Sequence, residues 1–170
     1  MPLPLPLTPA DALTRVIRPA FELLPSKMGG QRAEILMLAI ALQESELANR
    51  VQKGNGPARG LWQFELGGGV HGVMTHPASR DLARKVLAAR ACPATERGAW
   101  LALAGDDLLA ACFARLLLYT DALPLPTIGD VDTAWKYYVR NWRPGKPRPI
   151  AWPGNYELAM TAVSSAGESA

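Results

Sequence analysis

Cysteine and histidine are the scarce residues of this 170-residue chain: two of each. Cys92 and Cys112 stand twenty residues apart and form no metal motif. They read as two small apolar side chains in helices, with a single disulfide as the alternative. A disulfide-dense scaffold is excluded. His71 and His76 flank a glycine-rich stretch. Their five-residue spacing off a helix, with no Cys, Asp or Glu cluster beside it, defines no metal site, and no metal or cofactor is expected. No apolar run is long enough to span a membrane. The segment Met1-Pro2-Leu3-Pro4-Leu5-Pro6-Leu7 lacks the basic start, the apolar helical stretch and the cleavage site of a secretion signal; its alternating Pro and Leu predict an extended arm over residues 1–8. No internal repeat is visible. Charge of either sign is modest, 18 basic against 15 acidic residues. A net +3 is compatible with an anionic polymer as partner but weak as an argument for one.

What the chain does have is one dense apolar stretch, Ala33 to Leu42, interrupted only by Glu34 and continuing into Gln43-Glu44-Ser45-Glu46. It carries no Gly or Pro and no two-residue alternation, and it consists mostly of good helix formers. Apolar residues fall on nearly every side of such a helix, which places it inside a domain with other helices packed around it. The buried run ends at Glu44. A carboxyl delivered to the edge of an apolar core is disfavoured in its charged form. It can then keep its proton near neutral pH and serve as a general acid. The competing reading is a solvated glutamate at a helix end. Glu46, two positions on, points to a different side of the helix.

Around this rod the pattern predicts a mostly α single domain over residues 9–165. Thr8-Pro9-Ala10-Asp11 starts a helix that runs to about Leu24. Lys53-Gly54-Asn55-Gly56-Pro57 is a turn. Ala58-Arg59-Gly60-Leu61-Trp62-Gln63-Phe64-Glu65 suits a short extended segment or small hairpin, and Gly67-Gly68-Gly69 is expected as loop. Further helices are predicted from Pro77 to Arg90, Thr95 to Leu103, Leu108 to Thr120, Val131 to Arg140 and Tyr156 to Ser164. The stretch Asn141 to Asn155 is irregular, and 166–170 is expected as a mobile tail.

The order of Ala41-Leu42-Gln43-Glu44-Ser45 followed by Ala58-Arg59-Gly60-Leu61-Trp62-Gln63 resembles the lysozyme-like superfamily, in particular the lytic transglycosylases and goose-type lysozymes. In that family a Glu-Ser pair ends a buried helix and Gly-Leu-Met-Gln follows about twenty residues later; Trp62 stands here for the Met. The family's Tyr-Asn-Ala-Gly motif is echoed only loosely in Ala134 to Gly145. The resemblance implies a lysozyme-like fold around the central helix and cleavage of the β-1,4 bond between N-acetylmuramic acid and N-acetylglucosamine in peptidoglycan. It implies Glu44 as catalytic acid, and a Tyr facing it, assigned to Tyr138 over Tyr137. Lyase and hydrolase outcomes stay open. The arm and the missing signal look like a phage-encoded enzyme, placed in a virion or in the host cytoplasm and reaching the wall by another route.

On the same reading Gln63 hydrogen-bonds a sugar or orients Glu44, and Trp62 stacks on a sugar face. Gly60, with Leu61, lets the backbone approach the site, and Glu65 is the candidate second carboxylate. Each has a plainer alternative in hairpin, core or solvated loop. The cluster Trp135, Tyr137, Tyr138, Trp142 with Lys136, Arg140 and Arg143 fits a sugar-groove wall, a half-buried helix, or the less favoured nucleic-acid contact. A non-catalytic wall-binding or virion protein that keeps the fold is the alternative of a different class.

Overall fold

The computed structural model describes residues 2–168. The helix predicted from Thr8 begins there: its hydroxyl accepts the Asp11 N–H at 3.0 Å, and Pro9 takes the first helical position. α1 (Pro9–Ala12) passes through a π-helical turn, Leu13–Ile17, into α2 (Arg18–Phe21). The wide turn lies just ahead of Pro19, which lacks an N–H and whose ring would crowd the carbonyl four residues back in a regular helix. The helical geometry ends at Phe21, three residues before the expected stop.

α3 (Gln31–Ser45) is the anticipated rod. Every residue from Ala33 to Gln43 is buried. Glu34, the one charge in the run, is 8% exposed; Arg18 grips its carboxylate through Nε at 3.0 Å and Nη2 at 3.3 Å. A buried carboxylate is tolerable only with such a partner. The chain then forms α4 (His71–Thr75), α5 (Arg80–Ala89), α6 (Glu96–Leu103), α7 (Asp107–Tyr119), α8 (Val131–Trp142) and α9 (Trp152–Glu168). α3 packs most extensively on α9 and also touches α7. One core, running from Leu7 to Val163, joins all of these helices into a single mostly helical domain.

Three expectations are corrected. Gly67-Gly68-Gly69 is not open loop but part of a π-type turn, Leu66–Val70, leading into α4 and kinked at Gly68. α9 starts four residues earlier than Tyr156 and continues through Glu168, so residues 166–168 of the expected tail are helical; Ser169 and Ala170 lie outside the described residues. The irregular stretch shrinks accordingly to the segment between Trp142 and Trp152.

Residues 2–8 are extended and docked, while Met1 lies outside the described residues. Leu3 and Leu5 pack on the core, Leu7 is buried, and the Leu7 N–H donates to the Leu47 carbonyl at 2.9 Å. Arg50 closes this corner. It holds Asp107 through two 2.7 Å bonds and donates to the Leu3 carbonyl at 2.7 Å. Both cysteines are free thiols. Burial pushes the Cys112 thiol up to about 12, which makes it an inert core side chain. Among the described residues no helix is long and apolar enough to cross a membrane.

Candidate active site

α3 stops because Glu46 and Leu47 turn left-handed, with φ of 55° and 56°. Leu47 re-enters the core. Glu44 therefore occupies the last helical turn, half-buried. Burial raises its pKa; a hydrogen bond from Tyr138 and the charge of Arg148 pull it down, and the charge of Glu65 pushes it up. The net direction is upward. The negative end of the helix dipole acts in the same sense, since it disfavours a carboxylate in the last turn.

The Tyr138 hydroxyl donates to Glu44 Oε1 at 2.5 Å. Tyr138 is itself locked: 2% exposed, stacked on Trp152 at 5.2 Å between ring centres, with Trp135 at 5.4 Å. Burial pushes its phenol far above the ordinary range, so it stays a donor. Tyr137, its neighbour, faces away and donates to the carbonyls of Leu118 and Leu123 at 3.0 and 3.1 Å. With Oε1 taken, Oε2 is the oxygen left to carry a proton toward the cleft that Glu44 lines. That cleft measures about 1160 Å³, and Gln63, Glu65, Tyr138, Trp142 and Arg148 also line it. That volume lies slightly above the usual range for ligand pockets.

The stretch after Lys53 folds as a tight hairpin. Arg59 and Phe64 exchange backbone bonds of 2.9 and 2.8 Å, and Arg59 also bridges to Val51. Gly60 has φ +76°, and a Cβ there would lie 3.0 Å from the Leu103 carbonyl oxygen and 3.2 Å from the Ala110 Cβ. Glycine is required at this position for both reasons. The close approach is to α6 and α7, not to the cleft, which corrects the reading of Gly60 as a substrate contact.

Leu61 and Trp62 are likewise corrected. Both are 0% exposed, and neither lines the cleft. A side chain without exposed surface cannot stack on a sugar. The Trp62 indole instead donates to the Met37 carbonyl in the middle of α3 at 2.8 Å. The Trp142 indole donates to the Trp62 carbonyl at 3.0 Å. Two indoles thus bolt the hairpin to α3 on one side and to α8 on the other.

Gln63 does line the cleft, in a left-handed conformation of φ 49°. Its amide donates to the Gly60 carbonyl at 2.9 Å, bracing its own turn, and it makes no hydrogen bond to Glu44. Glu65 is exposed in the cleft wall. Exposed Glu46 meets Arg148 at 3.4 Å.

Sequence reasoning missed the clamp across the open end of α3. The Gln43 amide donates to the Arg148 carbonyl at 2.9 Å, and Arg148 Nη2 donates back to the Gln43 carbonyl. Asn155 completes it, donating to Gln43 Oε1 at 2.8 Å. Gln43 is 3% exposed. The only signal was a polar residue directly after the apolar run, paired with a proline-rich segment more than a hundred residues later. The clamp seats loop 143–149 against the cleft, which places exposed Arg143 and Lys146 on its lining, with Lys53 contributed from another segment. These three cations have no ion pair among the described residues.

Trp135, Tyr138 and Trp142 are buried or half-buried and pack through Tyr138 with one another and with Trp152, while buried Tyr137 faces away. They present no open stacking platform for bases. His71 pairs with Glu96 at 3.0 Å, and no group of three or more metal-capable side chains occurs among the described residues. Chemically, the site offers one carboxyl of raised pKa, a fixed phenol donor on it, and a basic wall. Compared with family models, curated proteins and solved structures, the chain matches none.

Proposed function

We propose that the protein cleaves the β-1,4 bond between N-acetylmuramic acid and N-acetylglucosamine in peptidoglycan, with Glu44 as general acid in a lysozyme-like site. The observation that carries this reading is the placement of Glu44: a half-buried carboxyl of raised pKa, at the end of the interior helix, opening on a cleft of about 1160 Å³. Protonated Glu44 gives its proton to the leaving glycosidic oxygen as the C1–O bond breaks, the bonding pair staying with that oxygen. The Glu44 carboxylate so formed is held by the Tyr138 hydroxyl. It then accepts a proton from the nucleophile that captures C1. That nucleophile is the muramyl 6-hydroxyl in a transglycosylase, or water in a muramidase.

Loop 143–149, with Arg143 and Lys146, supports an anionic polymer in the groove, because peptidoglycan carries carboxylates on its peptide stems. The test is mass spectrometry of purified sacculi after incubation with the protein. Soluble muropeptides with anhydro ends support a transglycosylase, and reducing ends a muramidase. Intact sacculi carrying bound protein and no soluble product would replace the reading with a wall-binding protein.

A further inference from the structure

A second hollow, about 380 Å³, is lined by Arg115, Leu118 and Tyr119 of α7, by the segment 121–125, and by Tyr137 of α8. It shares no lining residue with the cleft of Glu44. Its wall is mostly apolar: Leu118, Leu123, Pro124 and Leu125. Leu123 stands 59% exposed at its rim.

The odd member of the lining is Arg115. It is 5% exposed, and its Nε donates to the Met28 carbonyl at 2.6 Å. Its Nη1 is shut off from solvent and has no hydrogen-bond partner among the described residues. A guanidinium withdrawn from water in this way is normally paired with an anion. Among the described residues no anion pairs with it. Tyr119 lies 5.8 Å from the guanidinium carbon, ring to charge. Tyr137 is a neutral phenol, pushed up to about 12 by burial, and its hydroxyl is committed to two carbonyls. Asp121 is the one carboxylate in the lining, and it is spoken for: Arg140 and Asn141 both hold it at 2.8 Å. The hollow therefore joins an apolar wall to a buried guanidinium that has no carboxylate of its own.

We propose that this hollow is a binding site for a carboxylate carried on an apolar body, with Arg115 as its anion partner. The planar guanidinium matches a carboxylate, and the volume admits a ligand of one or two leucine-sized groups. The carboxylate belongs either to a free acid or to the end of a peptide chain, and the site is independent of the glycan reading.

The experiment is calorimetric titration of the full chain with three compounds: hexanoate, acetyl-dileucine, and acetyl-dileucine amide as the uncharged control. The expected result is binding by at least one carboxylate and at least about tenfold weaker binding by the amide. Binding by hexanoate assigns the free acid, and binding by acetyl-dileucine alone assigns a chain end. Arg115→Met removes an unpaired buried charge, is expected to fold, and should lose the preference for carboxylate over amide. Leu123→Glu changes only an exposed side chain at the rim, so it keeps the fold and should repel the carboxylates. Equal binding of acid and amide, no binding by either carboxylate, or an undiminished carboxylate preference in Arg115→Met overturns the proposal and leaves Arg115 to an internal water.

Discussion

Replacing Tyr138 with Phe removes one oxygen and leaves the aromatic stack on Trp152 in place. That oxygen donates to Glu44, and a donor stabilises a carboxylate more than a carboxylic acid. A hydrogen bond to a charged group contributes roughly 1.5–3 kcal/mol, and one between neutral groups roughly 0.5–1.5. The difference, about 1–1.5 kcal/mol, divided by 1.36 kcal/mol per pH unit, raises the pKa of Glu44 by about one unit. In the proposed reaction, activity depends on protonated Glu44, so the basic limb of the pH–rate profile should move upward by that amount in Tyr138→Phe. A second assay needs no activity. Melting followed against pH should show the variant falling further behind the parent at alkaline pH than in acid, because only the ionised carboxylate misses the donor strongly. A basic limb that stays put, with a stability gap independent of pH, would mean that the Tyr138–Glu44 bond does not govern the acid.

Glu44→Gln should be more stable than the parent at neutral pH. Burial gives the folded protein the higher Glu44 pKa, so the parent loses stability as pH rises from the ordinary Glu value through the raised one. The amide carries no such penalty, and the difference should vanish in acid; denaturant midpoints across pH read it directly. Trp62→Ala should cost roughly 3–5 kcal/mol in chemical denaturation, the range for emptying a buried aromatic site. Unchanged stability with weakened sugar binding would return Trp62 to the groove. Arg143→Ala combined with Lys146→Ala should leave melting within about 0.5 kcal/mol of the parent, as exposed positions do. The pair should weaken sacculus binding and flatten its salt dependence, which cosedimentation at low and moderate salt would measure.

Glu44 was legible because two local signals coincide there: a run without a polar face fixes the helix as interior, and the end of that run fixes where a carboxyl meets the surface. The hairpin was legible from Gly60 and its aromatic neighbours, but not the direction in which Trp62 points. An aromatic side chain suits a sugar face and a core equally well, and only the Met37 carbonyl, free to accept an indole N–H at 2.8 Å, decides between them. The start of α9 was obscured by Pro153 and Gly154, residues that the first turn of a helix tolerates and its interior does not. The Gln43–Arg148–Asn155 clamp was not legible at all. Gln43 lies more than a hundred residues from both Arg148 and Asn155 along the chain, and a single polar residue at the end of an apolar run does not announce its partners. Arg115 was hidden for the same reason, inside the helix that its neighbours predict.

The central claim is that the proton on Glu44 breaks the glycan. Purified sacculi incubated in parallel with the parent and with Glu44→Gln, and followed for soluble muropeptides, test it most directly. Removal of a general acid should lower the rate by at least about a hundredfold while binding to sacculi persists. Digestion by the Glu44→Gln protein at the parent's rate would contradict the claim.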